Sequence, residues 1–234
     1  LLPLSILLEN IAGVYAPLLA GGTVTLVPLE KLGFKGSALV FADLLLGTIS
    51  RIAPSSLILV PELLLVLVNA VKAGWTPPSS LSFIAVGGAK VASELLENAH
   101  QLGLPVYQGY GLSECGSVVS LNTPSDSDHA TAGKVLPHCQ VREILGELVV
   151  SGNCHLGYQN DPDSWFNYEF KTGDLVSIKD DFITVNGRKK NLIISSFGRN
   201  ISPEWPESLL QATGLFYQVV VLGEGKPFCI ALVV

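Results

Sequence analysis

The sequence has no methionine among its 234 residues, and only 15% of its residues are charged. A chain of this length ordinarily contains several methionines, so their absence leads us to expect that residues are missing from it, within segments such as 141–146 as well as at its ends. The low charged fraction, combined with 48% hydrophobic residues, excludes an intrinsically disordered chain. The length suffices for one large or two small domains with a substantial core.

The sequence also lacks an excess of basic residues and a long apolar run. Lys and Arg number 14 against 20 Asp and Glu, which gives a net charge of −6 without a basic stripe. This balance argues against binding to nucleic acid or to an anionic membrane surface. Glu9 ends the apolar run at 1–8 and Pro61 interrupts the run at 56–68, so neither predicts a transmembrane segment. No basic region precedes the first run, and we expect no signal peptide.

The cysteines show neither a disulfide framework nor a metal-binding pattern. Cys115, Cys139, Cys154 and Cys229 are widely separated, with no C-x-x-C motif and no nearby pair of histidines. We therefore expect reduced, structural cysteines in a cytoplasmic protein.

Between residues 57 and 108 the sequence alternates between strand-like and helix-like segments. Proline at the first turn of one helix and Gly103 after the other are typical helix boundaries. The pattern is β-α-β-α-β, which predicts a parallel sheet with α/β architecture. The predicted strands are 57–60, 82–86 and 105–108 and the predicted helices are 61–73 and 91–102, preceded by a strand at 23–27 and a helix at 39–52.

From about Asn122 the sequence consists of short segments in which apolar and polar residues alternate, separated by Pro, Ser, Asp and Gly. This predicts a small antiparallel or β-barrel-like unit, with strands at 146–150, 175–178 and 182–185. A strand at 192–195, a helix at 203–212 and strands at 218–222 and 229–234 follow. We therefore expect part of a large N-terminal domain over 1–187, divided into an α/β subdomain (1–121) and a β-rich subdomain (122–187), and a partial α+β C-terminal domain over 188–234.

Two glycine-rich loops follow neighbouring strands of the predicted parallel sheet. They are Gly87-Gly88-Ala89 and the loop 109–114, which reads Gly-Tyr-Gly-Leu-Ser-Glu. Ligands of open α/β sheets bind beyond the carboxyl ends of the strands, and glycine lets a ring or a phosphate approach the backbone closely. Tyr110 offers a stacking face, Ser113 a hydroxyl and Glu114 a ligand for a cation, so a nucleotide with its metal is indicated. Ordinary turns, with Ser113 capping a helix, are the alternative.

Three common motifs are excluded at these loops. A nucleophile elbow, G-x-S-x-G, requires glycine where Cys115 stands. The dinucleotide fingerprint G-x-G-x-x-G requires glycine where Glu114 stands, and G-x-x-x-x-G-K-S/T does not occur in the sequence. An α/β-hydrolase, a Rossmann enzyme and a P-loop enzyme are all disfavoured.

Two further segments carry groups suited to a nucleotide. Asp174 follows the turn Thr172-Gly173, and its carboxylate is a natural acceptor for ribose hydroxyls. Arg188 follows Asn186-Gly187, where a guanidinium could bind ribose or phosphate oxygens in a bidentate way. A common turn and a solvated run of charge are the alternative interpretations of the two segments.

The order of these motifs resembles the adenylate-forming, or AMP-binding, superfamily, which includes acyl-CoA synthetases, adenylation domains of peptide synthetases and luciferases. The opening Leu2-Pro3-Leu4-Ser5 also resembles the segment leading into that family's carboxylate pocket, so the resemblance covers nearly the whole chain. Fatty acyl-CoA synthetases are the most similar members. The motifs are Gly-Gly-Ala at 87–89, Gln-Gly-Tyr-Gly-Leu-Ser-Glu at 108–114, Thr-Gly-Asp at 172–174, Gly-Arg-Lys-Lys-Asn-Leu-Ile at 187–193 and Gly-Arg-Asn-Ile-Ser-Pro at 198–203.

The resemblance implies an acid–thiol ligase that uses ATP, Mg²⁺ and CoA. A carboxylic acid, in particular a fatty acid, would attack the α-phosphate of ATP, and the thiol of CoA would then displace AMP. Ser113, Glu114 and Arg188 would act in catalysis. The resemblance places Gly87, Gly88 and Ala89 beside the adenine, Tyr110 stacked on it, Gln108, Gly109 and Gly111 along the nucleotide and acyl site, Ser113 at the α-phosphate, Glu114 on Mg²⁺, Asp174 on the ribose hydroxyls and Arg188 at the ribose or phosphate.

Three later residues also match positions with a role in the family. Lys190 would be the hinge about which the small C-terminal domain rotates, and a surface lysine is the alternative. Gly198 would lie beside the pantetheine tunnel and Asn200 would contact the nucleotide, whereas a tight turn is the alternative for both.

The sequence departs from the family at both ends. The phosphate loop with its lysine is expected upstream of Leu1, and the lysine that contacts the acyl-adenylate downstream of Val234. The chain therefore resembles part of a larger synthetase, and we expect little or no adenylation from it alone. A non-catalytic nucleotide-binding module of the same fold, and an adenylation domain that loads a carrier protein, remain alternatives.

Overall fold

The computed structural model describes residues 1–36 and 38–234. Within these ranges no helix is both long enough and apolar enough to cross a bilayer. A π-helix at Glu9–Tyr15 precedes the first α-helix. The α-helices are α1 (Ala16–Leu19), α2 (Ala42–Ile52), α3 (Pro61–Lys72), α4 (Ser93–Gln101) and α5 (Glu204–Ala212).

One mixed sheet of nine strands organises the described residues, and three strand pairs accompany it. The strands are β1 (Phe34–Lys35), β2 (Ala38–Leu39), β3 (Ser56–Leu59), β4 (Phe83–Val86), β5 (Val106–Tyr110), β6 (Ser120–Leu121), β7 (Lys134–Val135), β8 (Cys139–Ile144), β9 (Glu147–Gly152), β10 (Glu169–Lys179), β11 (Phe182–Arg188), β12 (Ile193–Ile194), β13 (Asn200–Ile201), β14 (Val219–Leu222) and β15 (Ile230–Val233). The order in the large sheet is β3-β4-β5-β6-β7-β11-β10-β9-β8, and the pairs are β1-β2, β12-β13 and β14-β15.

The predicted β-α-β-α-β unit is confirmed. Strands β3, β4 and β5 are parallel, with Ser56 opposite Phe83 and Ile84 opposite Val106. Helices α3 and α4 connect them, and the observed ends differ from the predicted ones by at most two residues. Local periodicity sufficed here because each element buries one face on its immediate neighbours.

The β-rich part continues the same sheet, and its strands form no closed barrel within the described residues. From β5 onward every neighbouring pair is antiparallel, beginning with Gly109 opposite Leu121. The connection is made by β6 and β7, strands of two residues that show no periodicity in the sequence. The mixed α/β class is thus confirmed, with the antiparallel strands attached to the edge of the parallel ones.

Two expectations near the N-terminus are wrong. Residues 23–27 form no strand, because no neighbouring segment of the described chain pairs with their backbone. The helix expected from residue 39 begins at Ala42, because Leu39 pairs with Phe34 in the β1–β2 ladder.

The core consists of two clusters on either side of the junction between the parallel and antiparallel strands. In the first, helices α2 to α4 pack on the parallel strands, and Leu45, Leu64 and Ile84 are fully buried. The second fills the antiparallel part around Leu148 and Ile183. Burying each such side chain stabilises the fold by about 1.5–3 kcal/mol relative to exposure.

Truncation of Leu64 tests the first cluster. We expect Leu64→Ala to lower the free energy of unfolding by about 2–5 kcal/mol, because the lost contacts leave a cavity in helix α3. Leu64 is 0% exposed, whereas Leu19 at the end of α1 is 90% exposed. Leu19→Ala should therefore change stability by less than about 0.5 kcal/mol in the same urea titration. Equal losses in the two variants would contradict the assignment of the core.

Candidate functional site

The two glycine loops meet at the carboxyl ends of β4 and β5. Val86 pairs with Gln108 across these strands. A side chain at Gly87 would place its Cβ 3.0 Å from the carbonyl oxygen of Gly109, so the loops touch through backbone atoms. Gly88 and Ala89 continue the first loop, and the predicted adjacency of the two loops is present in the structure.

Loop 109–114 leads into a short 3₁₀ helix, Ser113–Cys115. Gly111 is required there, because a Cβ would overlap the carbonyl oxygen of Ser117. Ser113 does not cap this helix: Leu112 holds the N-cap position, and no side chain caps it. The exposed hydroxyl of Ser113 is therefore available to a ligand, in contrast to the capping interpretation.

A β-bulge in β10 sets the direction of the Asp174 side chain. Lys171 lies opposite Val149 and Leu175 opposite Glu147, so β10 carries extra residues between them. Gly173 occupies a left-handed conformation (φ 74°), which favours glycine, and its N–H donates to Glu147 Oε1 at 3.0 Å. Thr172 Oγ1 accepts the Asp174 N–H at 3.1 Å. Bulges of this kind redirect a side chain out of the regular alternation.

Asp174 joins residues from distant parts of the chain. The hydroxyl of Tyr110 donates to Asp174 Oδ2 at 2.6 Å, and Arg188 Nε donates to Asp174 Oδ1 at 2.8 Å. Asp174 is only 7% exposed, whereas the Arg188 side chain is 53% exposed. Burial and the neighbouring Asp174 raise the pKa of Tyr110, and the hydrogen bond to Asp174 raises the pKa of Arg188. The phenol is thus a donor and the guanidinium a cation at neutral pH.

The Tyr110–Asp174 bond shows that the large sheet curls strongly. Tyr110 lies in β5 and Asp174 in β10, four places apart in the strand order. Four strand spacings amount to about 19 Å along a flat sheet. A side-chain hydrogen bond of 2.6 Å therefore requires the intervening strands to fold back toward β5.

Glu114 contacts the segment that follows β9, and its charge reaches Arg188 of the cluster. Its Oε1 accepts the hydroxyl of Tyr158 at 2.9 Å, and its backbone oxygen accepts the N–H of His155 at 2.7 Å. The charge of Glu114 also contributes to the raised pKa of Arg188, after the larger effect of Asp174. Asp174 and Glu114 therefore act on one arginine.

The residues present fit a magnesium ion that is held jointly with a nucleotide. Within residues 1–36 and 38–234, no group of three or more His, Cys, Asp and Glu side chains could hold a metal by itself. Mg²⁺ in nucleotide sites is commonly bound through one or two carboxylates together with phosphate oxygens. Glu114, a single half-buried carboxylate beside the glycine loops, matches that donor set.

Three predicted residues are not joined to the cluster by hydrogen bonds or ion pairs among the described residues. Lys190 is exposed in the short 3₁₀ helix Lys189–Asn191. Gly198 forms the turn before β13, and Asn200 pairs with Ile194 within the β12–β13 ladder. Across the described chain no hydrogen bond or ion pair joins these three residues to Glu114, Asp174 or Arg188. The turn at Gly198 borders a cavity of about 590 Å³ lined by Phe197, Arg199 and Phe228, among others.

The structure adds residues that the sequence did not single out. Glu204, at the start of α5, accepts Asn191 Nδ2 at 2.7 Å and Ser202 Oγ at 2.6 Å. Burial of Lys90 lowers its pKa, and the nearby Glu204 acts in the opposite sense. Lys90 directly follows Gly-Gly-Ala, so the charge of Glu204 in the C-terminal segment acts on a residue next to the first glycine loop. Interactions between segments so far apart leave no local signal in the sequence.

Removal of the Tyr110 hydroxyl tests the buried cluster. In Tyr110→Phe, Asp174 Oδ2 loses its donor while remaining buried, so we expect a loss of about 1–3 kcal/mol in the free energy of unfolding. Tyr107→Phe is the matched control, because Tyr107 is stacked on Phe83 through its ring, with centroids 4.9 Å apart. The control should change stability by less than about 0.5 kcal/mol in chemical denaturation. An equally small change in Tyr110→Phe would contradict the bond.

Neutralisation of Glu204 tests the second network through its pH dependence. Burial raises the pKa of Glu204, but hydrogen bonds from Ser202 and Asn191 and the charge of Lys90 outweigh it and lower the pKa overall. A lowered folded-state pKa stabilises the fold above the ordinary value of about 4.3, and this contribution disappears as the pH falls through the folded-state pKa. We expect Glu204→Gln to destabilise by about 1 kcal/mol or less at pH 7, because solvent screens the group, and by less at pH 3. Glu30→Gln, at an exposed site, is the control and should change stability by less than about 0.5 kcal/mol in the same denaturation experiments. A pH-independent effect of Glu204→Gln would refute the assignment.

Sequence comparison relates the chain to CoA ligases. The model of the AMP-binding enzyme family matches residues 1–153. Long-chain-fatty-acid–CoA ligase FadD15 of Mycobacterium bovis is 38% identical over an alignment of 154 positions that covers 63% of this chain and 26% of that protein. 2-Succinylbenzoate–CoA ligase of Bacillus velezensis is 35% identical over an alignment of 168 positions that covers 64% of this chain and 34% of that protein. The matched region thus spans about a quarter to a third of these relatives.

Solved structures extend the similarity over almost the whole chain. The o-succinylbenzoate CoA synthetase MenE of Bacillus subtilis, in complex with the acyl-adenylate intermediate OSB-AMP, has a TM-score of 0.79 and 26% identity, over 99% of this chain and 49% of MenE. The same enzyme with ATP and a magnesium ion has a TM-score of 0.77 and 27% identity, over 98% of this chain and 49% of MenE. This chain therefore spans about half of that enzyme. Its resemblance to adenylate-forming proteins is confirmed, and the chain belongs to the AMP-binding enzyme family.

Proposed function

We propose that the chain forms the nucleotide-binding part of an AMP-forming acyl-CoA ligase. In the first half-reaction an oxygen of the carboxylic acid bonds to the α-phosphorus of ATP, and the bond from that phosphorus to the β-bridging oxygen breaks to release pyrophosphate. In the second, the sulfur of CoA bonds to the acyl carbon, AMP leaves with the carboxyl oxygen, and the thiol proton passes to solvent. The observation that carries this proposal is the cluster of Tyr110, Asp174 and Arg188 beside Glu114.

Asp174 is suited to bind the ribose. Each carboxylate oxygen offers two acceptor positions, and Tyr110 and Arg188 occupy one on each oxygen. The remaining positions can accept the two ribose hydroxyls. Because the bulge and the two donors fix the carboxylate, little freedom is lost when the nucleotide binds.

The loops around Asp174 would hold the rest of the nucleotide. The backbone-lined contact between Gly87 and Gly109 offers a flat surface for adenine, next to Gly88, Ala89 and Tyr110. Gln108 lies in the same strand and Gly111 directly follows it, and the exposed hydroxyl of Ser113 would face a phosphate.

Charge at the phosphates would be met by Arg188 and by Mg²⁺. Arg188 binds Asp174 through Nε, and its side chain is half exposed, so its terminal nitrogens can reach ribose or phosphate oxygens. Preorganised charges of this kind stabilise the negative charge that develops in phosphoryl transfer. Glu114 would hold Mg²⁺, which when bound neutralises charge on the phosphates.

We further propose a fatty acid as the acid substrate and CoA as the acceptor. The 38% identity with FadD15, whose name specifies long-chain fatty acids, supports this choice over the aryl acids named for other relatives. The segment 188–234 would be the start of the mobile C-terminal domain, with Lys190 as its hinge, Gly198 beside the pantetheine tunnel and Asn200 at the nucleotide.

Substitution of Asp174 tests the nucleotide site by binding, without requiring turnover. Isothermal titration with palmitoyl-sulfamoyladenosine, a mimic of an acyl-adenylate, should give an affinity about tenfold to a hundredfold weaker for Asp174→Asn, since a hydrogen bond to a charged group contributes about 1.5–3 kcal/mol. Asp180→Asn, an exposed substitution in the β10–β11 turn, is the control and should bind like the unaltered chain. Circular dichroism checks that both variants fold. Failure of the unaltered chain to bind the mimic, or unchanged binding by Asp174→Asn, would refute the proposal.

The same titration addresses the acid. We compare the palmitoyl compound with its 2-succinylbenzoyl counterpart and with AMP, which carries no acyl group. Tighter binding of the palmitoyl compound than of both others supports a fatty acid, whereas a preference for the aryl compound contradicts it.

A further inference from the structure

The segment after β9 packs against the turn that carries Glu114. The N–H of His155 donates to the backbone oxygen of Glu114 at 2.7 Å. A Cβ at Gly116 would lie 3.2 Å from Asn153 Nδ2, so the two segments are in close contact at a second point. This docking brings the hydroxyl of Tyr158 to Glu114 Oε1, 2.9 Å away and 44 residues along the chain.

Tyr158 is itself held on its backbone and on its ring. Its N–H donates to Ser164 Oγ at 2.8 Å, and its carbonyl oxygen accepts Trp165 Nε1 at 2.8 Å. Its ring meets the ring of His155 edge to face, with centroids 4.8 Å apart. The phenol is therefore fixed relative to Glu114 even though 44% of the residue is exposed.

His155 acts here through its ring surface. Besides contacting Tyr158, the ring packs perpendicular to Phe170 with centroids 5.3 Å apart. Both of its ring nitrogens are buried without a hydrogen-bond partner among the described residues. The imidazole ring therefore supports the ring of Tyr158 through aromatic packing, and its nitrogens form no hydrogen bond among the described residues.

We infer that Tyr158 is a positioning residue that orients the Glu114 carboxylate for a divalent cation on the nucleotide phosphates. The inference rests on the proposed function. The phenol takes one of the two acceptor positions on Oε1 and restrains the carboxylate plane, which leaves both positions on Oε2 for the cation. Partners that orient a metal ligand from outside the coordination shell commonly contribute 10-fold to 100-fold to metal affinity.

The test separates magnesium-dependent from magnesium-independent binding. ATP is titrated into the chain with saturating Mg²⁺ and again with EDTA, and AMP is titrated with EDTA alone. For Tyr158→Phe we expect the gain in ATP affinity due to Mg²⁺ to fall about tenfold, at the lower end of the range because the bond is exposed, while AMP binding is unchanged. Tyr168→Phe, at an exposed tyrosine, is the matched control and should keep the full gain.

A second variant tests the packing role of the His155 ring. His155→Phe preserves the edge-to-face packing and removes the two unpartnered nitrogens, so it should keep the full magnesium-dependent gain. Loss of that gain in His155→Phe would overturn the role assigned to the ring.

The remaining outcomes also decide whether the inference holds. A magnesium-dependent gain in Tyr158→Phe equal to that of the unaltered chain overturns the inference alone. A parallel loss of AMP affinity would mean that Tyr158 merely supports the fold, and overturns it as well. If the unaltered chain binds neither AMP nor ATP, the proposed function fails and the inference fails with it.

Discussion

The buried carboxylate of Asp174 is the constraint on which the site depends. A buried charge is costly unless it is paired and hydrogen-bonded. Here Tyr110 and Arg188 supply one donor to each oxygen. Because Tyr110 ends the last parallel strand and Arg188 ends an antiparallel one, satisfying this carboxylate also sets the position of one half of the sheet relative to the other.

Local pattern predicted much of the fold, and its failures have a physical origin. The parallel unit between Ser56 and Tyr110 was predicted well because each strand and helix buries a face on its sequence neighbours. Strands β6 and β7 were missed because two residues cannot display a period. The strand expected at 23–27 is absent because apolar, β-branched composition does not supply a partner for its backbone.

The residues of the site also divide into those that the sequence predicted and those that it did not. Gly87, Tyr110, Glu114, Asp174 and Arg188 were identified from motifs whose order in the chain is distinctive, and the structure brings them together. The supporting contacts of Tyr158 and Glu204 were not predicted, because each depends on a loop or helix docking against a distant segment. The roles assigned to Lys190, Gly198 and Asn200 are predictions that the geometry of the nucleotide cluster does not address.

The curl of the sheet has a mechanical consequence for a ligand. The backbone connection between β5 and β10 runs through the short strands β6 and β7. The hydrogen bond from the Tyr110 phenol to the Asp174 carboxylate joins the same two strands directly. A nucleotide bound both at Asp174 and at the loops after β4 and β5 would therefore join the same two parts of the sheet as this bond does.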